Sequence, residues 1–264
     1  MSVFSEGAPC WADVPLPDLA AGRRFYGELF GWTFEDQGEE FGHYTLAFRD
    51  GEAAAGLMPR PDPAVPAAWT VYFASSDATG AAARIGRAGG RVLFGPDTAG
   101  GSGVMVGAAD PAGAPFGVWQ AGEHLGFGAT DVPGTFCWVE NWTRDTAAVD
   151  GFYEEVFGYR AEQIGDGHFF DYKVWSLPAD PDVRFGGRMA AGPDAPEGAV
   201  AAFRVYFAVA DCDEAAAAVR ELGGTVSQGP QDSPAGRLAF VADDQGTSFT
   251  IIDPQRKTGS IDGS

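Results

Sequence analysis

The sequence predicts an α+β protein of tandem βαβββ units, forming two cup-shaped curved mixed sheets with helices packed outside. Three observations predict it. The chain is written twice: Cys10-Trp11-Ala12-Asp13, then Asp18, then Phe25-Tyr26-Gly27-Glu28-Leu29-Phe30-Gly31-Trp32, return 127 residues later as Cys137-Trp138-Val139-Glu140, Asp145 and Phe152-Tyr153-Glu154-Glu155-Val156-Phe157-Gly158-Tyr159. A repeat of this length implies paired modules and paired sites. Later motifs keep their order at a wider spacing. Gly56-Leu57-Met58 answers Gly187-Arg188-Met189, and Val71-Tyr72-Phe73, Gly89-Gly90 and Gly95-Pro96 recur 134 residues on as Val205-Tyr206-Phe207, Gly223-Gly224 and Gly229-Pro230. Asp110 and Gly113 recur as Asp243 and Gly246. The growing offset predicts an insertion around Leu177–Asp182, in a surface loop. Finally, strand and helix signals alternate in the same order in both copies.

In the first copy, Cys10–Pro15 reads as a strand and Asp18 as the cap of a helix over Ala20–Phe30, stopped by Gly31. Phe25, Leu29 and Phe30 share a face of that helix. His43–Phe48 alternates as a strand, and Thr70–Ala74 is another. Asp77 caps a helix over Ala78–Ala88, ended by Gly89-Gly90. Arg91–Phe94, Val104–Ala108 and Pro115–Gln120 are the closing strands, and Asp110-Pro111-Ala112-Gly113 is a turn with no further role. The second copy gives strands over Thr135–Asn141, His168–Leu177, Arg204–Ala208, Leu238–Val241 and Ser248–Asp253. Its helices are Ala147–Phe157, after the cap Asp145, and Asp213–Leu222. The boundaries follow: a module over 1–120, a Gly-rich linker over 121–134, a module over 135–253 and a disordered tail over 254–264. Each module has about 125 residues, enough for a core.

The net charge of −20 makes nucleic acid and anionic membranes poor partners. No run is apolar and long enough to span a bilayer, and the N-terminus shows no signal peptide. Of Cys10, Cys137 and Cys212 the first two are repeat equivalents, and no C-x-x-C spacing occurs, which predicts buried thiols in a reducing, cytoplasmic setting.

The order strand, Asp, helix, Phe-Tyr, Phe-Gly-Trp or Phe-Gly-Tyr, closing on Asp-Pro-x-Gly before a last strand, resembles the glyoxalase / bleomycin-resistance / extradiol-dioxygenase superfamily, also called vicinal oxygen chelate. The likeness covers about 10–120 and 135–253 and is nearest to tandem two-module actinobacterial members. Metal-binding members place His, Gln or Glu at three strand positions. Carried onto this sequence, these are Trp11, Thr70 and Gly117, and Trp138, Arg204 and Thr250. None is a usual ligand: indole offers only an N–H and guanidinium is always cationic. The expectation is therefore no metal and no cofactor.

Strand alternation gives the faces of the expected cups. Trp11, Asp13, Thr70, Tyr72, Gly117 and Trp119 line one cup. Trp138, Glu140, Trp142, Arg204, Tyr206 and Thr250 line the other, with Arg204 placed to pair with Glu140. Gly117 leaves room for a ligand. Phe25-Tyr26 and Phe152-Tyr153 are core, while the roles of His43, His124 and His168 stay open, from a surface or hydrogen-bonding residue to an acid or base in its cup. Three readings follow. The first is a metal-free protein binding a small, flat aromatic or apolar molecule between aromatic walls, of the sequestration or resistance type. The second is a metal-independent enzyme with Asp13 or Glu140 as base and Tyr72 or Tyr206 as proton donor. The third is a metal-dependent lyase or dioxygenase. Either a monomer or a homodimer is compatible with two modules in one chain.

Overall fold

The computed structural model describes residues 4–64, 66–167, 170–192 and 201–258. The first copy runs β1 (Pro9–Leu16), α1 (Leu19–Phe30), β2 (Thr33–Asp36), β3 (Thr45–Arg49), β4 (Glu52–Pro59), β5 (Thr70–Ala74), α2 (Ala78–Arg87), β6 (Arg91–Thr98), β7 (Gly103–Ala109) and β8 (Pro115–Ala121). The second runs β9 (Phe136–Thr143), α3 (Thr146–Phe157), β10 (Arg160–Ile164), β11 (Tyr172–Ser176), β12 (Arg184–Ala190), β13 (Ala202–Ala208), α4 (Cys212–Glu221), β14 (Thr225–Ser233), β15 (Gly236–Ala242) and β16 (Ser248–Asp253). Each copy makes an eight-stranded open sheet, ordered β2-β3-β4-β1-β5-β8-β7-β6 and β10-β11-β12-β9-β13-β16-β15-β14. The outer pairings of β1 and β5 are parallel (β1 with β4, β5 with β8), whereas β1 and β5 run antiparallel to each other. Two βαβββ units thus meet at the centre of each curved, mixed sheet.

The helices begin and end as the local chemistry dictates. Asp18 Oδ1 accepts from the Ala20 and Ala21 amides, and Gly31, at φ 70°, closes α1 in the left-handed region. At α3 Asp145 Oδ1 accepts from the Ala148 amide, and Gly158, at φ 73°, closes the helix. The sequence reading did not place β2, β4, β10, β12 or β14 individually. β4 is Glu-Ala-Ala-Ala-Gly-Leu-Met-Pro, with little β-branched or aromatic content. Its strand state comes from its neighbours β1 and β3, which tertiary context supplies and propensity does not. β3 starts at Thr45, not at His43; His43 has φ 59° and stands in the preceding turn. His168 lies outside the described residues, and the strand expected to begin there starts at Tyr172. The loop 177–183 replaces the two-residue Asp50-Gly51 turn between the equivalent strands, where the insertion was expected. Of the expected tail, 254–258 follows β16, with Arg256 3.1 Å from Asp213; 259–264 lies outside the described residues.

The two sheets bury their helix-bearing faces against each other in one core. α1 of the first copy packs Phe25, Tyr26 and Phe30 on Phe249 of β16, and Phe30 also on Phe207 of β13. Reciprocally, α3 packs Phe152, Tyr153 and Phe157 on Phe116 of β8, with Tyr153 and Phe157 also against Phe73 of β5. The polar contacts are reciprocal too. Tyr26 donates 2.9 Å to Asp243 Oδ2, and its repeat mate Tyr153 donates 3.3 Å to Asp110 Oδ2. Trp32 Nε1 donates to the Gly134 carbonyl at 2.6 Å, and its mate Tyr159 donates to the Gly7 carbonyl at 2.5 Å. The turn Asp110-Pro111-Ala112-Gly113 therefore does more than turn the chain. Asp110 Oδ1 holds the Ala114 amide, while Oδ2 receives Tyr153 and, at 2.8 Å, Asn141 Nδ2. Among the described residues, no helix is long and apolar enough to cross a membrane.

Candidate functional site

The concave face of each sheet carries the same four-residue network. In the first cup, alternation on β1 turns Trp11 and Asp13 to one side, and β5 sets Tyr72 opposite Trp11 and Thr70 opposite Asp13. Tyr44, just before β3, lays its hydroxyl over Gly56 of β4. Trp11 Nε1 donates 2.7 Å to the Tyr44 hydroxyl, which donates 3.2 Å to Asp13 Oδ2. The Tyr72 hydroxyl donates to the same carboxyl. In the second cup, Trp138 Nε1 donates 2.9 Å to the Tyr172 hydroxyl, which reaches Glu140. Tyr206 donates 2.5 Å to Glu140 Oε2, and Trp142 Nε1 adds a further bond at 3.0 Å.

Tyr44 and Tyr172 were missed by sequence reasoning. They sit 128 residues apart in a stretch of weak similarity. A signal existed in the repeated Gly56 and Gly187. A Cβ on Gly56 would overlap the Tyr44 hydroxyl, and one on Gly187 would stand 2.6 Å from the Tyr172 hydroxyl. These glycines are small because a phenol occupies the space. We expect Gly56→Ala to displace Tyr44 and cost about 1–3 kcal/mol, read as a lower urea midpoint. An unchanged midpoint would show that the network does not hold Tyr44 in place.

Burial dominates the electrostatics of the first cup. Asp13 is 4% exposed, and the loss of water pushes its pKa up to about 7, with the Tyr72 and Tyr44 hydroxyls opposing the rise. Burial and the neighbouring Asp13 charge push Tyr44 and Tyr72 well above the usual phenol range. The thiols of Cys10 and Cys137 donate to the Tyr72 and Tyr206 carbonyls at 3.5 Å, and burial raises both pKa values, so they stay protonated.

Two expectations need correction. Gly117 does not open a ligand space, because the Tyr72 ring fills it and would overlap any Cβ there. Arg204 makes no ion pair with Glu140 among the described residues. Its guanidinium carbon lies instead over two rings, 4.3 Å from the Trp142 centroid and 4.4 Å from that of Phe240. His124, whose role the sequence leaves open, lies at the first cup. It comes from the segment after β8 and sets its ring edge-on to Trp11, with centroids 4.4 Å apart, while its carbonyl takes Trp119 Nε1 at 2.9 Å. Phe127 covers Trp11 from another side. Burial lowers the His124 pKa, which favours the neutral imidazole, and its Nε2 has no hydrogen-bond partner among the described residues.

The two cups therefore differ in access. Trp11, Tyr72 and Trp119 are all under 10% exposed, whereas Trp138, Trp142, Arg204 and Phe240 are half-buried. Thr250 is fully buried with an unpartnered Oγ1, beside Tyr206 and Phe240 in the sheet register. Two surface clefts, about 380 Å³ beside Glu162, Asp182 and Arg184 and about 520 Å³ beside Asp150, Glu154 and Lys173, lie outside both cups. Ion pairs Arg184–Glu162 and Lys173–Asp150 sit in their walls, and neither cleft includes a residue of the two networks.

A match to the model of the Glyoxalase/Bleomycin resistance protein/Dioxygenase superfamily covers residues 11–118 and 136–251. The chain belongs to this superfamily. It is 37% identical over 270 residues to the anthracycline biosynthesis protein DnrV of Streptomyces peucetius, and 36% over 270 residues to DauV of Streptomyces sp. (strain C5), in each case covering 96% of this chain and 95% of the relative. Among solved structures it resembles the 2,3-dioxygenase LapB of Pseudomonas sp. KL28, with a TM-score of 0.67, 15% identity and coverage of 98% of both chains. It also resembles the Mn(II)-bound glyoxalase of Novosphingobium aromaticivorans, with a TM-score of 0.62, 16% identity and coverage of 97% of this chain and 87% of that one. At such identities these structures establish the shared fold alone.

Divalent-metal chemistry in superfamily members prompts a test of fit. Each cup offers one carboxylate, and hydroxyl or indole donors already occupy it. The remaining groups at the superfamily's ligand positions are indole, threonine hydroxyl, glycine and guanidinium. Among the described residues, no cluster of three His, Cys, Asp or Glu side chains is arranged to hold an ion. This donor set does not fit a divalent cation.

Proposed function

We propose that this superfamily member binds a small, flat aromatic or apolar organic molecule without a metal, and that the second cup is its working site. The supporting observation is the duplicated Trp–Tyr–carboxylate–Tyr network. It consumes the acid in each cup as a hydrogen-bond acceptor and leaves a rigid aromatic floor, which suits stacking better than bond making. Partial exposure of Trp138 and Trp142 favours the second cup, since His124 and Phe127 close the first. The relatives named for anthracycline biosynthesis direct attention to fused-ring aromatics. The unpaired thiols suit a reducing, cytoplasmic setting.

The test is a titration of chelator-treated protein with planar polycyclic aromatics, following tryptophan fluorescence. Saturable quenching is expected, weakened about 5- to 150-fold by Trp142→Ala, since one aromatic wall contributes on the order of 1–3 kcal/mol. Quenching that appears only after a divalent cation is added would overturn the metal-free reading. A second reading, acid–base catalysis, is favoured by one observation: the Asp13 pKa near 7 suits a proton carrier at neutral pH. It predicts a turnover that Asp13→Asn abolishes, and the burial of Asp13 beneath Trp11 and Tyr44 argues against it.

A further inference from the structure

We propose that the second cup selects aromatic anions over neutral rings, with Arg204 as the anion-binding group. The proposal rests on the reading of that cup as an aromatic binding site and names the charge of what it binds. The guanidinium carbon lies over the Trp142 ring at 4.3 Å and over the Phe240 ring at 4.4 Å from their centroids. Stacking uses the π faces and leaves the in-plane N–H donors at the edge. Among the described residues, no protein acceptor takes those donors, and the side chain is only half-buried.

The obvious internal partner is present and declines the charge. Arg204 pairs with Glu140 in the β13–β9 register, yet Glu140 Oε2 is held by Tyr206 and Trp142. A cation held rigidly beside an acid that is already satisfied is preorganised for an outside anion. The planar fork fits a carboxylate in bidentate fashion, and also binds a phenolate or enolate oxygen. Thr250 supplies a second unmet polar atom on the same face, buried between Tyr206 and Phe240.

The first cup is the internal control. At the four equivalent positions it has Thr70 for Arg204, Pro15 for Trp142, Gly107 for Phe240 and Gly117 for Thr250. The whole device is absent from one copy and complete in the other, while the carboxylate network beneath is shared. The divergence thus includes all four groups proposed to meet the ligand, while the Trp–Tyr–acid–Tyr pattern beneath them is kept. It is also a local cation on a chain of net charge −20, so the attraction comes from contact geometry and not from a favourable long-range field.

The test compares 2-naphthoate with its neutral isostere 2-naphthamide at pH 7.5, with the intact, chelator-treated protein, by calorimetry or fluorescence. Naphthoate is expected to bind at least about tenfold more tightly, the scale of one charge-assisted hydrogen-bonded pair. Arg204→Gln should bring the ratio of the two affinities to about one, that ratio being the readout whatever happens to the affinity for naphthamide itself. Arg204→Lys, which keeps the charge without the fork, should restore part of the preference. Circular dichroism and unfolding midpoints check that both variants fold. Equal binding of the two probes by the wild type, or a preference that survives in Arg204→Gln, overturns the anion role and leaves aromatic binding standing. If the wild type binds neither probe, the aromatic reading of the cup fails and the anion role falls with it.

Discussion

Residues 1–134 and 135–264, produced separately, will each lack a cooperative unfolding transition, and mixing them will restore one. The reason lies in what each half leaves uncovered. Without the second half, Phe73 and Phe116 lose Phe152, Tyr153 and Phe157. Without the first half, Phe207 and Phe249 lose Phe25, Tyr26, Phe30 and Trp32. Each such side chain is worth about 1.5–3 kcal/mol of burial, and several together match the typical 5–15 kcal/mol stability of a whole domain. Buried Asp110 and Asp243 would also lose the tyrosines that satisfy them, at about 1–3 kcal/mol each. Within the intact chain, Phe207→Ala is expected to cost about 3–5 kcal/mol. Far-UV circular dichroism with urea titration of each half decides the matter. A native-like transition from either half alone would show that the shared core is dispensable.

The second large effect is a pH dependence set by Asp13. Its ordinary pKa of 3.8 is what the unfolded chain presents, and burial in the folded protein moves it to about 7. Between those values the native state holds a proton that the unfolded state has released. Stability from this group is therefore fully present below pH 3.8 and is lost as pH rises to 7. At about 1.4 kcal/mol per pH unit, the interval from pH 5 to pH 7 is worth about 3 kcal/mol as an upper figure. Asp13→Asn keeps the acceptor for Tyr44 and Tyr72 and cannot ionise. Asp110 and Asp243 are raised in the same direction by burial, so the variant keeps some slope. The expected result is a wild-type unfolding free energy that falls more steeply than the variant's between pH 5 and pH 8. Parallel lines would mean that Asp13 ionises normally in the folded protein.

The network that produces this dependence was half legible in the sequence. Trp11, Asp13 and Tyr72 share a face by strand alternation, and their repeat mates Trp138, Glu140 and Tyr206 do the same. Tyr44 and Tyr172 escaped notice because they lie at turns leading into β3 and β11, where no alternation applies. Only Gly56 and Gly187, repeated without a turn to explain them, hinted at something bulky nearby. Arg204 was misjudged for a related reason. Register alone places it opposite Glu140, and opposite charges on facing residues suggest a pair. The actual outcome depends on two tyrosines and an indole that claim the carboxylate first, and on Trp142 and Phe240 closing on the guanidinium.

By itself, the sequence determined the duplication, the α+β class, the helix caps at Asp18 and Asp145, and the faces of β1 and β9. Each of these is a local or periodic property, set by backbone sterics, capping hydrogen bonds and the two-residue period of a strand. Only the tertiary structure decided that the halves share one core, with Tyr26 bound to Asp243 and Tyr153 to Asp110. It also decided that His124 packs edge-on against Trp11 in one cup, while Trp138 and Trp142 are half-buried in the other. These outcomes depend on how two sheets dock and which segment crosses which cup. Groups 43 to 217 residues apart then compete for the same hydrogen bonds, and no local pattern records the winner.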